Sequence, residues 1–302
     1  MKHRAAVIAR LGTRLGARLG LAFAGMWGLG GTAAHAASAA QPGQTVGVPF
    51  GAPFPKGFYA VNLSSFGVRE TAPLDSESNV NLPTLLWATP FSVLGGQVQF
   101  VFVAPIAASS VRGAPYNSGW GQPLLAGQLA WDLGDGVGVS YLLGGYLPWE
   151  TRFLTQSASL SHRFAITYAA DDWAITANLL YGHMLETRAP NGALYPDYLN
   201  LDVTLTKKFG KWQVGPVAFA STDLKTDVVG YRQQGQIAVG GLVGYNFGFM
   251  NVQGYVTRDV AERNYGGKET RGWLRIVVPF LQDKGEAQPN RTLITRRQAE
   301  GR

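Results

Sequence analysis

Hydrophobic residues fall on every second position through much of the stretch from residue 57 to residue 280. In 136–148, Val137, Val139, Tyr141, Leu143 and Leu147 share one face. In 197–208, Leu199, Leu201, Val203 and Leu205 oppose Asn200, Asp202, Thr204 and Thr206. In 235–247, Ile237, Val239, Val243, Tyr245 and Phe247 oppose Gln236, Gly240, Gly244 and Asn246. A period of two is that of a β-strand whose two faces meet different surroundings. Twelve such strands are predicted, over 57–69, 79–90, 95–105, 120–133, 136–148, 156–169, 172–185, 197–208, 211–224, 235–247, 249–261 and 271–280. Tight hairpin sequences (Gly134-Asp135-Gly136, Ala170-Asp171-Asp172, Phe209-Gly210-Lys211, Asn246-Phe247-Gly248) alternate with longer, loop-like stretches such as PIAASSVRGAPYNSG and ETRAPNGALYPD. Short turns at one end and long loops at the other predict an all-β fold: a transmembrane antiparallel up-and-down β-barrel of about twelve strands, with both termini periplasmic. A soluble β-sandwich also alternates, turning its apolar face to a core. It has no need of the turn asymmetry.

Composition agrees with a barrel. Charged residues are 15% of the chain, aromatics 12%, and glycine supplies 39 of 302 residues, whereas an average globular protein is about 25% charged. No apolar run after residue 40 is long enough for a membrane helix. Residues 1–36 carry Lys2, Arg4, Arg10, Arg14 and Arg18, then an apolar run from Leu19 to Leu29, then Ala34-His35-Ala36. That is the layout of a cleavable signal peptide, and it predicts export to the outer membrane. Residues 37–56, rich in small residues, Pro and Gly, read as a periplasmic linker into a barrel at 57–280. Residues 281–302 read as a polar, disordered periplasmic tail. Of 26 basic and 19 acidic residues, five bases lie in 1–36, and five bases with three acids lie in 281–302. Sixteen of each remain in 37–280, so the basic balance describes the two ends and gives no support for nucleic acid binding. The partners expected instead are outer-membrane lipids, the barrel-assembly machinery, reading Phe280 as its terminal aromatic signal, and a small hydrophobic solute.

Candidate chemistry is sparse. Ser161-His162 is the nearest approach to a nucleophile–base pair, but neighbours on a strand point to opposite faces and cannot bond. His183 sits near Glu186, where a loop-base ion pair is expected, and Asp171-Asp172 lies in a tight turn. No catalytic residue, metal site or cofactor is assigned. The face predicted to line the lumen says more. Gln128, Arg163, Asn178, Asn200, Asp202, Gln236 and Arg275 fall there, with Asn62, Ser64, Gln97, Gln99 and Gln253, and with Leu124, Val101, Leu180, Met184, Phe219 and Leu242 among them. An amide-rich, partly apolar interior suits a narrow path for small hydrophobic molecules. It equally suits side chains that fill a small barrel, with Arg163 or Arg275 paired to Asp202. The aromatics Trp87, Trp120, Trp131, Trp149, Trp173, Tyr181, Trp212 and Tyr255, near predicted strand ends, suit membrane-interface belts.

The blocks YLNLDVTLTKKFGKWQVGPVAFASTDLKTD, GQIAVGGLVGYNFGFMNVQGYVTRDVAERN and GWLRIVVPF, with the opening PFPKGFYAVNLSSFGV, resemble the outer-membrane family named for the meta-pathway of phenol degradation. The likeness runs in order over 55–280. It implies a transporter that admits aromatic or other hydrophobic compounds, and it carries no catalytic residue with it. Two rival expectations stand beside this one: a plugged structural or surface-interaction barrel, and an outer-membrane lipid-modifying enzyme. The sequence leaves open whether an inner loop or the segment 37–56 closes the pore.

Overall fold

The computed structural model describes residues 38–148, 158–186, 195–224 and 231–282. The stretch 1–36 read as a signal peptide, Trp149 and all but the first two residues of the 281–302 tail lie outside the described residues. The strands are β1 (Gly57–Arg69), β2 (Ser76–Val93), β3 (Gly96–Val103), β4 (Ile106–Val111), β5 (Asn117–Trp120), β6 (Leu124–Gly134), β7 (Val137–Tyr146), β8 (Ser159–Ala170), β9 (Trp173–Met184), β10 (Tyr198–Phe209), β11 (Trp212–Asp223), β12 (Gly235–Asn246), β13 (Asn251–Arg263) and β14 (Glu269–Phe280). β1 pairs antiparallel with β2 on one side and with β14 on the other, which closes the sheet. Closure leaves the barrel wall no edge, as a backbone surrounded by lipid requires.

Twelve strands make the wall, as the alternation predicts. β4 and β5 are the addition. They form a hairpin inside the stretch read as a loop, and β4 pairs with Ser76–Asn81 of β2. The cause is a mismatch of lengths. β2 has 18 residues and β3 only 8. The far half of β2 would leave its backbone groups unpaired, and β4 supplies the partner. At the opposite end, Leu94 and Gly95 (φ 51° and 77°) and Asp171 and Asp172 (φ 50° and 66°) are left-handed pairs. That is the type I′ geometry that follows the strand twist.

Outward positions carry exposed Leu125, Leu143, Leu160, Phe164, Ile166, Leu179, Leu201, Val239, Val243 and Leu274. At the short-turn end, Phe58 stacks on Trp87 (5.4 Å) and on Phe280 (5.8 Å), and Trp212 meets Tyr245 edge-on (4.7 Å). Rings with an apolar body suit a membrane interface. Tyr255 departs from this belt: it is buried inside the barrel. Asn62 and Ser64 depart the other way. The buried residues of β1 are Gly57, Tyr59, Leu63, Ser65, Gly67 and Arg69, so the even-numbered positions face out. There Asn62 Nδ2 donates to Ser64 Oγ (3.0 Å), and Ser64 Oγ donates to Asn81 Oδ1 (2.6 Å). Asn62 also borders an outer groove of about 470 Å³ lined by Ala60, Pro83, Leu85, Phe102 and Val278.

Phe280 sits on the closing seam, its partner residue on β1 being Phe58. Phe280→Ser removes the stacked pair that ends this seam, so the heat-modifiable, folded fraction in outer-membrane extracts is expected to fall several-fold. Unchanged levels would show that the seam closes without it.

Candidate functional site

All seven candidate lumen residues are buried within the barrel: Gln128, Arg163, Asn178, Asn200, Asp202, Gln236 and Arg275 are each at most 7% exposed. What buries most of them is the segment 38–56. Read from sequence as a periplasmic linker, it instead lies in the lumen, where Ala40 and Val46 have no exposed surface. The physical reason is that most of its residues are small or flexible, and a twelve-stranded wall encloses more space than its own side chains fill. The chain enters beside the start of β1 and runs back along the lumen toward the first residues of β10, where Ser38 accepts from Asn200 Nδ2 (2.9 Å).

Barrel side chains hold this plug mostly by its backbone. Asp202 is the central clamp: its Oδ1 accepts from the Gly43 amide (2.9 Å), and its Oδ2 from the Thr45 amide (2.9 Å) and the Thr45 hydroxyl (2.6 Å). Thr204 Oγ1 and Thr167 Oγ1 accept from the Gly47 and Gly51 amides (2.8 and 3.1 Å). From the other wall, Arg275 donates to the carbonyls of Val46 and Gln44 (the latter 2.7 Å), Gln253 to that of Gly47 (2.9 Å), and Tyr255 to that of Gly43 (3.1 Å). Gln128 donates weakly to the Phe50 carbonyl (3.3 Å), and Asn200 to that of Ala40 (3.0 Å). Neither arginine forms an ion pair with Asp202 among the described residues. Gln236 accepts from Arg69 (3.0 Å) instead of from the plug.

Apolar packing completes the closure. Val46 sits in a cluster with Leu63, Val217, Phe219, Leu242, Tyr255 and Trp273. Ala40, Phe50 and Phe54 pack against a second cluster that includes Leu124, Leu142, Tyr146, Leu180, Met184 and Tyr198. Gly43 and Gly47 adopt φ of 86° and 83°, and a Cβ at either would lie 2.8 Å from Phe219 or 2.7 Å from Leu242. Only glycine permits both that conformation and that approach.

The fit is uneven. Arg163 donates to Gln128 and lies 3.8 Å over the Phe50 ring, yet among the described residues its buried Nε has no partner. The Asn178 amide oxygen and nitrogen, Ser140 Oγ and Asn200 Oδ1 are likewise buried and unpartnered. At the β1–β13–β14 side of the lumen the charged groups are well matched. Arg69 bonds Asp259 (3.3 Å), and Arg271 grips Glu269 through two bonds (3.1 and 2.7 Å) while also reaching Ser65 and Ser78. Sequence reading missed this charged network. Carrying the parity of Arg275 back along β14 through Trp273 to Arg271 and Glu269 would have found half of it.

The candidates for chemistry separate as strand geometry requires. Ser161 is buried inside. His162 is outside, its Nδ1 2.8 Å from the Tyr141 hydroxyl. His183 pairs with Asp197 (2.9 Å) in place of Glu186. Burial alone would raise the Asp197 carboxyl, but hydrogen bonds from His183, Tyr181 and the Met184 amide hold it below the ordinary carboxylate range.

A closed antiparallel wall with an apolar exterior, an aromatic belt and a hydrogen-bonded interior defines an outer-membrane β-barrel, here closed by its own N-terminal segment. The model of the family described as "Putative MetA-pathway of phenol degradation" matches residues 37–276, and the chain belongs to that family. Among solved structures, the chain is similar to an outer membrane channel from Pseudomonas putida F1, with a TM-score of 0.66 at 15% identity over 80% of this chain and 100% of that one. More distant are the translocator domain of the autotransporter NalP from Neisseria meningitidis (TM-score 0.48, 11% identity, 75% and 90% covered) and the NanC porin (0.44, 9%, 72% and 100%). At such identities the likeness is one of fold. No curated protein matches the chain.

Proposed function

We propose that this protein is an outer-membrane channel for small hydrophobic compounds, aromatic ones included, and that residues 38–56 are its gate. The observation that carries the reading is the manner of closure. The lumen is stopped by one contiguous segment, tied on the N-terminal side of the barrel and fastened through its backbone to side chains of the wall. Withdrawing it breaks no strand pairing. The lumen it would leave behind joins amides to the apolar group around Leu124, Leu142, Tyr146 and Leu180, surroundings that lower the cost of taking a hydrophobic solute from water. The family name, tied to phenol degradation, points the same way.

The test is uptake by folded protein in liposomes of labelled phenol, benzoate, a fatty acid and a sugar. The aromatics or the fatty acid are expected to enter faster than the sugar. Equal entry of all four would make it a general pore. No entry from folded protein, with or without residues 38–52, would leave the rival reading of a plugged structural barrel.

A further inference from the structure

Among the described residues the interior holds one cation that the plug satisfies poorly. Arg163 is buried on β8 between its strand neighbours Leu142 and Leu180. Among the described residues no carboxylate lies within ion-pair distance of it, and both oxygens of the nearby Asp202 are taken by the plug. A guanidinium keeps its charge in a protein, and a buried charge without a counter-charge is costly. The group that covers it here is an aromatic ring, that of Phe50, at 3.8 Å. Phe50 in turn meets Phe54 edge-on at 6.0 Å, so the ring is held as part of a short aromatic row.

We infer that Arg163 and Gln128 form a site for an aromatic carboxylate, and that Phe50 occupies the ring's place in it while the channel is closed. This rests on the channel reading above. Departure of Phe50 frees three things at once. The volume of a phenyl ring opens beside Leu142 and Leu180. Gln128 Nε2 loses the Phe50 carbonyl as an acceptor. Arg163 loses its covering ring, and rotation about its last torsion turns its donor edge, including the unpartnered Nε, toward the opening. A cation and an amide donor beside a ring-sized apolar space suit an anion of the benzoate class better than phenol. Phenol fills the ring space and leaves the charge unmet. In the closed state Phe50 therefore mimics the ring of the solute and omits its carboxylate.

The experiment compares entry of benzoate and phenol into liposomes carrying the full mature protein, with folding verified by heat-modifiable migration. Phe50→Ala is expected to raise benzoate entry about tenfold more than phenol entry, the difference that one charge-assisted pair makes. Adding Arg163→Gln should erase that difference while phenol entry stays raised. Should Arg163→Gln fail to assemble, the Phe50→Ala protein alone decides: millimolar benzoate is expected to interrupt its single-channel current, and equal phenol is not. Equal gains for both solutes, or a current indifferent to benzoate, would overturn the anion site and leave the channel reading standing. No entry of either solute through any variant would overturn the channel reading itself.

Discussion

A chain lacking residues 38–52 is expected to assemble as a barrel and conduct continuously, with time-averaged conductance on the order of tenfold or more above that of the intact protein. The expectation follows from where the bonds lie. Every strand of the wall is paired to its neighbours by backbone, and the closing β1–β14 and β1–β2 ladders begin at residue 57 or beyond. The deleted stretch contributes bonds to the lumen side chains alone, so its loss opens the path without unpicking the sheet. Planar-bilayer recordings of both proteins check this. If the shortened chain failed to assemble, the segment would be a folding core of the barrel. If it assembled and stayed closed, other chain would have to fill the lumen.

Asp202→Ala is expected to have the next largest effect. Three hydrogen bonds from the plug end on this one carboxylate. Removing it strands the Gly43 amide, the Thr45 amide and the Thr45 hydroxyl in a buried place, where an unsatisfied donor costs about 1–3 kcal/mol. Relief of the buried charge offsets part of this, leaving a net cost of about 3 kcal/mol to the plugged state. That shifts the closed-to-open ratio by roughly a hundredfold. Asp202→Asn, which keeps an acceptor and loses the charge, is expected to shift it by about tenfold. Open probability in single-channel recordings reads both. Equal behaviour of the two variants and the parent would mean that Asp202 does not fasten the gate.

The barrel was legible in the sequence and the plug was not, and the difference is physical. A wall strand writes its surroundings into a two-residue period, because lipid and lumen make opposite demands on neighbours such as Leu201 and Asp202. The plug has no period to read. Its partners lie far away in the chain, Gln44 to Arg275 and Thr45 to Asp202, and most act through backbone groups that leave no mark on side-chain choice. Its two left-handed glycines, Gly43 and Gly47, are the trace it does leave, and by themselves they read equally as linker residues. The inward positions of β1 were misread for a related reason. With Tyr59 and Leu63 buried inside and Asn62 and Ser64 outside, polarity there runs opposite to the rule for a water-filled barrel. The lumen is packed against a segment of protein, and packed surfaces select for apolar side chains. By contrast, Gln128, Asn200, Asp202 and Arg275 follow the alternation of strands β6, β10 and β14, and each is buried. Their role as fasteners became visible only with the segment they hold.

The claim at the centre is that the plug must move for solute to pass. The chain has no cysteine, so a single introduced pair can report on it without competing disulfides. Val46 and Leu242 pack in one buried cluster. A Val46→Cys, Leu242→Cys protein is oxidised, its cross-link is verified by mobility, and phenol uptake into liposomes is measured before and after reduction. Uptake is expected to be absent while the disulfide is intact and to reach at least the level of the parent protein once it is reduced, since the two truncated side chains pack the plug less tightly. Undiminished uptake with the plug covalently fixed to β12 would contradict the account, because solute would then be passing a gate that cannot open.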